Sequence, residues 1–135
     1  MAWGHMAALM FSDEVHGRFH QAADEVNLGP GPLKALLDLD AADPPSMGRV
    51  AESMRCDASW ATSIVDALES AGYAERRTSP TDRRVKLIAL TPSGIEAQAR
   101  ATASLSVPVE PLQRLSADEA RTLRALLAKL APDPQ

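Results

Sequence analysis

Residues 46–91 read SMGRVAESMRCDASWATSIVDALESAGYAERRTSPTDRRVKLIALT, and this stretch contains most of the information about the fold. Ser46 and Asp57 are both good N-caps, because their side chains can accept a hydrogen bond from a free amide in the first helical turn. They predict two short helices, residues 47–55 and 58–71, with a short turn between them. Two short helices joined in this way form a helix-turn-helix.

The second of these helices has two different faces. Its apolar residues share one stripe and predict the buried side: Ala61, Ile64, Val65, Leu68 and Gly72. Small or acidic polar residues lie opposite: Ser59, Ser63, Asp66 and Ser70. A helix with small polar side chains at its exposed N-terminal end can enter a DNA major groove, which is about 12 Å wide. An ordinary surface helix has the same pattern, so the helix alone leaves both interpretations open.

A hairpin is predicted directly after the helix-turn-helix. Residues 73–78 form its first strand, residues 79–82 a type I turn with Pro80 in the second position, and residues 83–91 the returning strand. A two-stranded hairpin in this place is the wing of a winged helix. The fold class predicted is therefore mainly α with a two-stranded β-wing.

Amphipathic helices are predicted on both sides of this unit. The first covers residues 6–26, with Phe11, Val15, Phe19, Ala22 and Val26 inward. Pro32 begins a second helix that ends near Asp40. After the hairpin, Thr91 caps a helix that starts at Pro92, with Ile95, Ala99 and Leu105 inward. The last helix follows a capping box at residues 116–119 and carries Leu123, Leu126, Leu127 and Leu130 on one stripe.

Charge is distributed unevenly along the 135 residues. The formal net charge is −4, yet residues 72–91 carry five basic and two acidic side chains, a local charge of +3. Salt screens charges beyond about 8–10 Å, so the local field decides where a polyanion binds. The acidic total excludes broad cationic binding, but it does not exclude binding of DNA at the hairpin. A simply solvated charged face is the alternative interpretation.

Composition excludes several other classes. The longest apolar run has six residues, from Met6 to Phe11, which is too short for a transmembrane helix. One cysteine excludes an intrachain disulfide framework and favours a reducing cytoplasm. Five aromatic residues are too few for a base-stacking platform. No catalytic constellation or phosphate-binding glycine loop is present, so we expect neither an enzyme nor a cofactor.

Three residues are candidates for sensing. His16 and His20 are four apart on the first helix, a spacing that can bind a metal ion from one face. No third ligand is evident, so solvated or packed histidines are the favoured interpretation. Cys56 precedes a helix N-terminus, where a thiolate is favoured and oxidant sensing is possible. A small residue packed in the turn is the simpler interpretation of this cysteine.

Arg83 is the strongest candidate for a DNA contact in the hairpin. It lies next to the predicted turn, where a long guanidinium can reach a narrow, electronegative minor groove. Asp82 and Arg84 are two residues apart and would share a face of the strand, so they can pair and hold the arginine extended. An exposed salt bridge with no such role, worth about 0–1 kcal/mol, is the alternative.

The sequence resembles the MarR family of bacterial transcriptional regulators. The resemblance covers residues 33–94 closely and rests on four segments in order: CDASWATSIVDALE at 56–69, GYAERR at 72–77, DRRV at 82–85 and LTPSG at 90–94. It implies a homodimer with a helical dimerisation part at residues 1–32 and another at 92–135. The winged helix-turn-helix occupies residues 33–91 between them.

The resemblance also implies a function and a set of DNA-facing residues. A family member of this kind represses or activates transcription by reading a pseudo-palindrome in double-stranded DNA with two recognition helices. On that match the DNA-facing residues are Ala58, Ser59, Trp60, Thr62 and Ser63 in the recognition helix and Asp82, Arg83 and Arg84 in the wing. Small aromatic or phenolic effectors often bind such proteins between the dimerisation and DNA-binding parts.

The sequence departs from the family pattern in its recognition helix. Ala58, Ser63 and Ala67 stand where arginines are frequent, so little guanine readout is expected from this helix. Trp60 lies on the flank of the helix, where it can contact a thymine methyl group or a sugar or pack against the wing, and packing is the favoured interpretation. We therefore predict a dimeric, sequence-specific repressor in the cytoplasm, released by an aromatic or phenolic effector. The alternatives are a metal- or redox-responsive regulator of the same fold and a winged helix that binds only proteins.

Overall fold

The computed structural model describes residues 2–130 and contains, in that range, eight helices and two strands. The helices are α1 (Ala2–Met10), α2 (Asp13–Glu25), α3 (Pro30–Asp38), α4 (Met47–Met54), α5 (Ala58–Ser70), α6 (Pro92–Leu105), α7 (Glu110–Gln113) and α8 (Ala117–Ala128). The strands, β1 (Ala74–Thr78) and β2 (Lys86–Leu90), pair antiparallel. The predicted fold class, mainly α with a two-stranded wing, is confirmed. Within the described range no helix has the length and apolar character needed to cross a membrane.

The chain divides into two compact units. One consists of residues 16–106, and the other joins the N-terminal residues up to Val15 to the residues from Val107 onward. The larger unit contains a hydrophobic core made by α2 to α6 and both strands. Its largest fully buried side chains are Leu33, Leu36, Leu68, Ile88, Val26 and Val65. The predicted domain boundaries at 32/33 and 91/92 stay a prediction.

The predicted helix caps are present. Ser46 Oγ accepts a hydrogen bond from the Arg49 amide at 3.2 Å, and Asp57 Oδ1 accepts one from the Trp60 amide at 2.8 Å. Gly72 has a φ of 79°, as expected for a residue that ends a helix in the left-handed region. Ser116 and Glu119 form the capping box of α8. Caps are local chemistry, which is why the sequence predicts them well.

The predicted first helix, residues 6–26, is wrong in one respect: it is two helices. Ser12 Oγ donates to the Leu9 carbonyl at 2.8 Å and accepts from the Val15 amide at 3.3 Å, so it closes α1 and caps α2. Phe11, predicted to point inward, lies at this break and is 74% exposed. Ala22 and Val26 are buried as predicted.

The start of the second predicted helix is also corrected, because α3 runs from Pro30 to Asp38. Pro30 takes the first helical position and Pro32 the third. Neither position needs an amide hydrogen, since the first amides of a helix have no intrahelical partner.

The buried face of α6 differs from the predicted one. Ile95 is 46% exposed and Ala99 is exposed, whereas Gly94, Ala97 and Ala101 are buried. A Cβ atom added at Gly94 would lie 1.9 Å from the carbonyl oxygen of Tyr73, so the backbones approach too closely for any side chain. Because α6 lies so close to the rest of the core, only small residues fit on its inner face, and Ile95 points outward.

The smaller unit contains α1, α7 and α8. The Glu110 amide donates to the Glu14 carboxylate at 2.8 Å, which joins the N-terminal segment to the start of α7. The predicted leucine stripe is largely uncovered: Leu126 and Leu127 of α8 are 53% and 51% exposed, and Leu130, just after the helix, is 74% exposed. This unit therefore presents an apolar helix face to the outside of the chain.

Candidate nucleic-acid interface

Helix α5 sits in the larger unit with one face buried and the other open. Ala61, Ile64, Val65 and Leu68 are each at most 2% exposed and pack into the core, which matches the predicted apolar stripe. The N-terminal end is capped by Asp57 and leaves its first turn in solvent. The helix is thus fixed by its inner face while its N-terminal outer face is available for a ligand.

The five residues predicted to face DNA in α5 are all exposed: Ala58, Ser59, Trp60, Thr62 and Ser63. Thr62 Oγ1 donates to the Ala58 carbonyl at 2.9 Å, and Ser63 Oγ donates to the Ser59 carbonyl at 3.2 Å. Because these hydroxyl hydrogens are used within the helix, the oxygens offer outward acceptor lone pairs. Such groups suit base amino groups, which are donors in the major groove.

Trp60 lies in a different place from the one expected. A Cβ atom built at Gly31 would be 3.9 Å from Trp60 Cζ2, so the edge of the indole lies beside the first turn of α3. This placement differs from the predicted packing against the wing. The residue is 59% exposed, so it still offers an apolar surface close to the start of α5.

The wing is the β1–β2 hairpin, with a register from Ala74 opposite Leu90 to Thr78 opposite Lys86. The Ile88 amide donates to the Pro45 carbonyl at 2.8 Å, and Ser46 forms a bridge with Leu87. The segment before α4 is therefore paired with β2, which the sequence pattern does not predict. This pairing connects the wing to the first helix of the helix-turn-helix.

The tip of the wing is longer than predicted. The loop spans residues 79–85 and is closed by a hydrogen bond from the Ser79 amide to the Val85 carbonyl at 2.9 Å. It contains two successive turns, at residues 79–82 and 82–85, and in the second the Val85 amide donates to the Asp82 carbonyl at 3.0 Å. Ser79 Oγ accepts from the Asp82 amide at 3.4 Å and stabilises the first turn. The prediction that the returning strand begins at Arg83 is wrong, because this residue belongs to the loop.

Asp82 and Arg84 form the expected pair, but for a different reason. They do not share a strand face; instead Asp82 Oδ1 accepts from both the Arg84 amide, at 3.0 Å, and its Nε, at 3.2 Å. The hydrogen bond from the Arg84 side chain is the main cause that lowers the pKa of Asp82. The pair fixes the backbone of the second turn and leaves Arg84 91% exposed.

The basic side chains of the wing differ in whether an acidic side chain already pairs with them. Arg77 pairs with Glu75 at 2.6 Å and Arg84 pairs with Asp82, whereas Lys86 donates to the uncharged hydroxyl of Thr78 at 2.9 Å. Within residues 2–130, the Arg83 side chain has neither an ion pair nor a hydrogen bond. Arg83 is therefore the guanidinium at the wing tip that can bind a phosphate without first leaving a carboxylate.

Arg76 ties the wing to α5, a role that the sequence pattern does not reveal. Its Nη2 lies 2.7 Å from Asp66 Oδ1, its Nη1 contacts Glu69, and its amide donates to Glu69 at 3.0 Å. The hydrogen bond with Asp66 is the main cause that raises the pKa of Arg76. We call Asp66, Glu69 and Arg76 the clamp. The seven- and ten-residue separations give no periodic signal, so only the folded chain shows it.

The three sensing candidates are not brought together. His16 and His20 are exposed on α2, and Cys56 is half-buried in the turn between α4 and α5. Among residues 2–130, no group of three or more His, Cys, Asp or Glu side chains could hold a metal ion. Metal or redox sensing by these residues stays a prediction.

Known structures share this fold. The apo form of MarR from E. coli has a TM-score of 0.76 with 22% identity, covering 96% of both chains. The transcriptional repressor CouR, solved bound to a 23-mer DNA duplex, has a TM-score of 0.70 and 28% identity, covering 98% of this chain and 92% of that one. These matches confirm the winged-helix fold.

Sequence comparison agrees with the structural comparison. The "Uncharacterized HTH-type transcriptional regulator YcgE" of Bacillus subtilis (strain 168) is 39% identical over 77 residues, 56% of this chain and 50% of the relative. The chain spans 50–61% of the length of the curated relatives that it matches. Residues 30–86 match the MarR family model, which covers α3 to the first residue of β2. This segment of the chain is therefore similar to the MarR family, whose model it matches.

Proposed function

We propose that this protein is a cytoplasmic, dimeric transcriptional repressor that binds a specific double-stranded DNA sequence. One observation carries the proposal: the first turn of α5 is exposed, and in the same unit the wing tip presents Arg83 without a partner among the described residues. A helix for the major groove and an arginine for the backbone or minor groove are the two parts that such a protein needs.

The geometry supports a division of labour between these two parts. The outward hydroxyl oxygens of Thr62 and Ser63 and the apolar surface of Trp60 can contact base edges and thymine methyl groups. The guanidinium of Arg83 supplies charge, which positions the protein but carries little sequence information. Because α5 lacks arginine, we expect specificity from short-range contacts and DNA shape rather than from guanine readout.

Relatives support binding to DNA. CouR, 28% identical to this chain, is described as a transcriptional repressor and was solved on a DNA duplex. That description concerns CouR, and the same role in this chain is our inference. A dimer is supported by the exposed leucine face of α8, since monomeric proteins seldom expose a large apolar patch.

The proposal also includes an effector: a small aromatic or phenolic compound that releases the protein from DNA. A cavity of about 170 Å³ lies between α3 and α4, with walls that include Leu39, Val50 and Met54. This cleft is partly open, and Asp38, Arg49 and Ser53 add polar groups to its walls. Its volume is similar to that of an apolar cavity of about 150 Å³ that can hold benzene, so it has room for one aromatic ring. Because α4 is the first helix of the helix-turn-helix, a ligand at this cavity could shift α5 and weaken DNA binding.

Titration with salt tests the DNA-binding proposal. Fluorescence anisotropy with a labelled duplex of about 30 bp, long enough for two half-sites, measures affinity across KCl concentrations. We expect affinity to fall steeply with salt, because binding releases counterions from the phosphates. Arg83→Ala should weaken binding broadly, whereas Arg121→Ala removes the same charge from α8 and should have little effect.

The same titration can contradict the proposal. A protein-interaction module would show absent or salt-insensitive binding to the duplex, and an unchanged affinity of Arg83→Ala would remove the wing from the interface. For the effector, benzoate and phenol should raise Tm and reduce DNA affinity, and Ala35→Leu, which fills the cavity wall, should abolish both effects. No change in Tm or affinity with either compound would contradict an aromatic effector at this cavity.

A further inference from the structure

The turn between α4 and α5 contains a residue in an unusual backbone conformation. Arg55 has a φ of 51°, in the left-handed region that side chains other than those of glycine and asparagine seldom adopt. The other residues of the described chain with positive φ are Asn27 and Gly72, which are both suited to it. The Cys56 amide donates to the Ala51 carbonyl at 3.0 Å, so α4 ends in a motif that normally takes glycine at the position of Arg55.

The side chain of Arg55 is not used within the chain. In the part of the chain that the structure describes, it has neither an ion pair nor a side-chain hydrogen bond, and the residue is exposed. The neighbouring arginine of α4, Arg49, pairs with Asp43 at 3.3 Å. An arginine that is poorly suited to its backbone position and makes no such internal bond has no evident role in stability.

The location of Arg55 indicates what its guanidinium could bind. It lies three residues before Ala58, the first residue of α5, and two before the carboxylate of Asp57 that caps this helix. When α5 enters a major groove, its N-terminal end approaches the phosphates that border the groove. Asp57 brings a negative charge to that region, and Arg55 brings a positive charge that can offset it and bind a phosphate.

We propose that Arg55 binds a DNA phosphate, so that each protomer holds the backbone on both sides of α5, with Arg55 in the turn and Arg83 at the wing tip. This inference rests on the proposed function. Arginine is poorly suited to the left-handed backbone conformation of this position. Replacing Arg55 by a better suited residue should therefore raise stability and, at the same time, weaken DNA binding. A residue kept only for the fold would move both in the same direction.

Arg55→Asn provides the test, since asparagine adopts the left-handed conformation readily. We expect a higher Tm than that of the wild-type protein, together with weaker binding of a labelled, mixed-sequence duplex of about 30 bp. The slope of log K against log[KCl] should become shallower by about 1 for each phosphate that the variant no longer binds. Arg55→Lys keeps the positive charge and should retain most of the slope.

Arg100→Gln is the matched control, because Arg100 is also exposed but lies on α6, outside the helix-turn-helix and the wing. It changes the net charge by the same unit and should leave the slope unchanged. If the wild-type protein binds the duplex and Arg55→Asn keeps the same affinity and slope, this inference alone is overturned. If the wild-type protein binds no duplex, the proposed function fails and this inference fails with it.

Discussion

At the scale of single residues, Gly94 fixes the junction between the wing and α6. Thr91 Oγ1 donates to the Gly72 carbonyl at 2.5 Å and accepts from the Gly94 amide at 3.0 Å, while the Thr91 amide donates to the Tyr73 carbonyl at 3.0 Å. These hydrogen bonds bring α6 so close to Tyr73 that Gly94 has no space for a side chain. The LTPSG segment of the family resemblance therefore has a structural basis rather than a DNA-binding one.

Gly94→Ala should destabilise the protein, because the new methyl group would collide with the Tyr73 backbone. Forced overpacking of this kind costs typically about 1–3 kcal/mol. Gly17→Ala is the control: a Cβ atom there meets nothing within 4 Å, and the residue lies inside α2. That substitution should stabilise the protein by about 0.5–1 kcal/mol. Urea denaturation measures both, and equal effects of the two would contradict this account of Gly94.

At the scale of elements, the clamp holds the wing against α5. Arg76 is 26% exposed, so its ion pairs with Asp66 and Glu69 are partly shielded from solvent. The Arg77–Glu75 pair in the same strand is at least 49% exposed on both sides and joins no second element. Of these ion pairs, those of Arg76 connect β1 with α5.

A double-mutant cycle tests the clamp. Arg76→Gln and Glu69→Gln should show a coupling energy of about 0.5–3 kcal/mol, as expected for contacting residues in one network. Arg77→Gln and Glu75→Gln, measured in the same way, should couple less strongly than the clamp pair and by no more than about 1 kcal/mol, since exposed pairs contribute little. Hydrogen exchange should also accelerate at the Arg76 amide in the Glu69→Gln variant. Equal coupling in the two cycles would contradict the proposed role of the clamp.

Elements also show what the sequence could and could not predict. Caps at Ser46, Asp57 and Ser116 follow from residues within one helical turn, so they were predictable. The inner face of α6 was not predictable. This face packs so closely against the core that it contains Ala97 and Ala101, whereas the larger Ile95 is exposed. The wing tip was mispredicted because Ser79 and Asp82 each nucleate a turn, and the sequence signal of Pro80 marks only the first of them. The clamp depends on contacts between elements and has no local signature.

At the scale of the whole molecule, the proposed function needs a second copy of the chain. One recognition helix and one wing read only a half-site, whereas a dimer reads two related by symmetry. The exposed leucines of α8 are our candidates for the surface that joins the copies, and Leu127 also lines an apolar groove with Leu112 and Leu115. Burying such a face on a partner removes apolar surface from water and favours association.

Paired substitution of Leu126→Glu and Leu127→Glu should convert a dimer into a monomer, because it places two charges on the proposed interface. Sedimentation velocity measures the change in mass, and circular dichroism checks that the helices remain. Thr122→Glu together with Arg121→Glu adds charge to exposed polar positions of the same helix and should leave the dimer intact. A wild-type monomer, or a dimer unaffected by the leucine substitutions, would show that this face is not the interface.

Selection from a pool of random duplexes tests the central claim, sequence-specific binding of DNA by a dimer, most directly. The protein is mixed with the pool at low salt, and the bound duplexes are recovered and sequenced. We predict enrichment of two inverted half-sites whose centres lie one helical turn apart, about 10–10.5 bp or 34–36 Å. No enrichment, or enrichment of a single unrepeated half-site, would contradict the account.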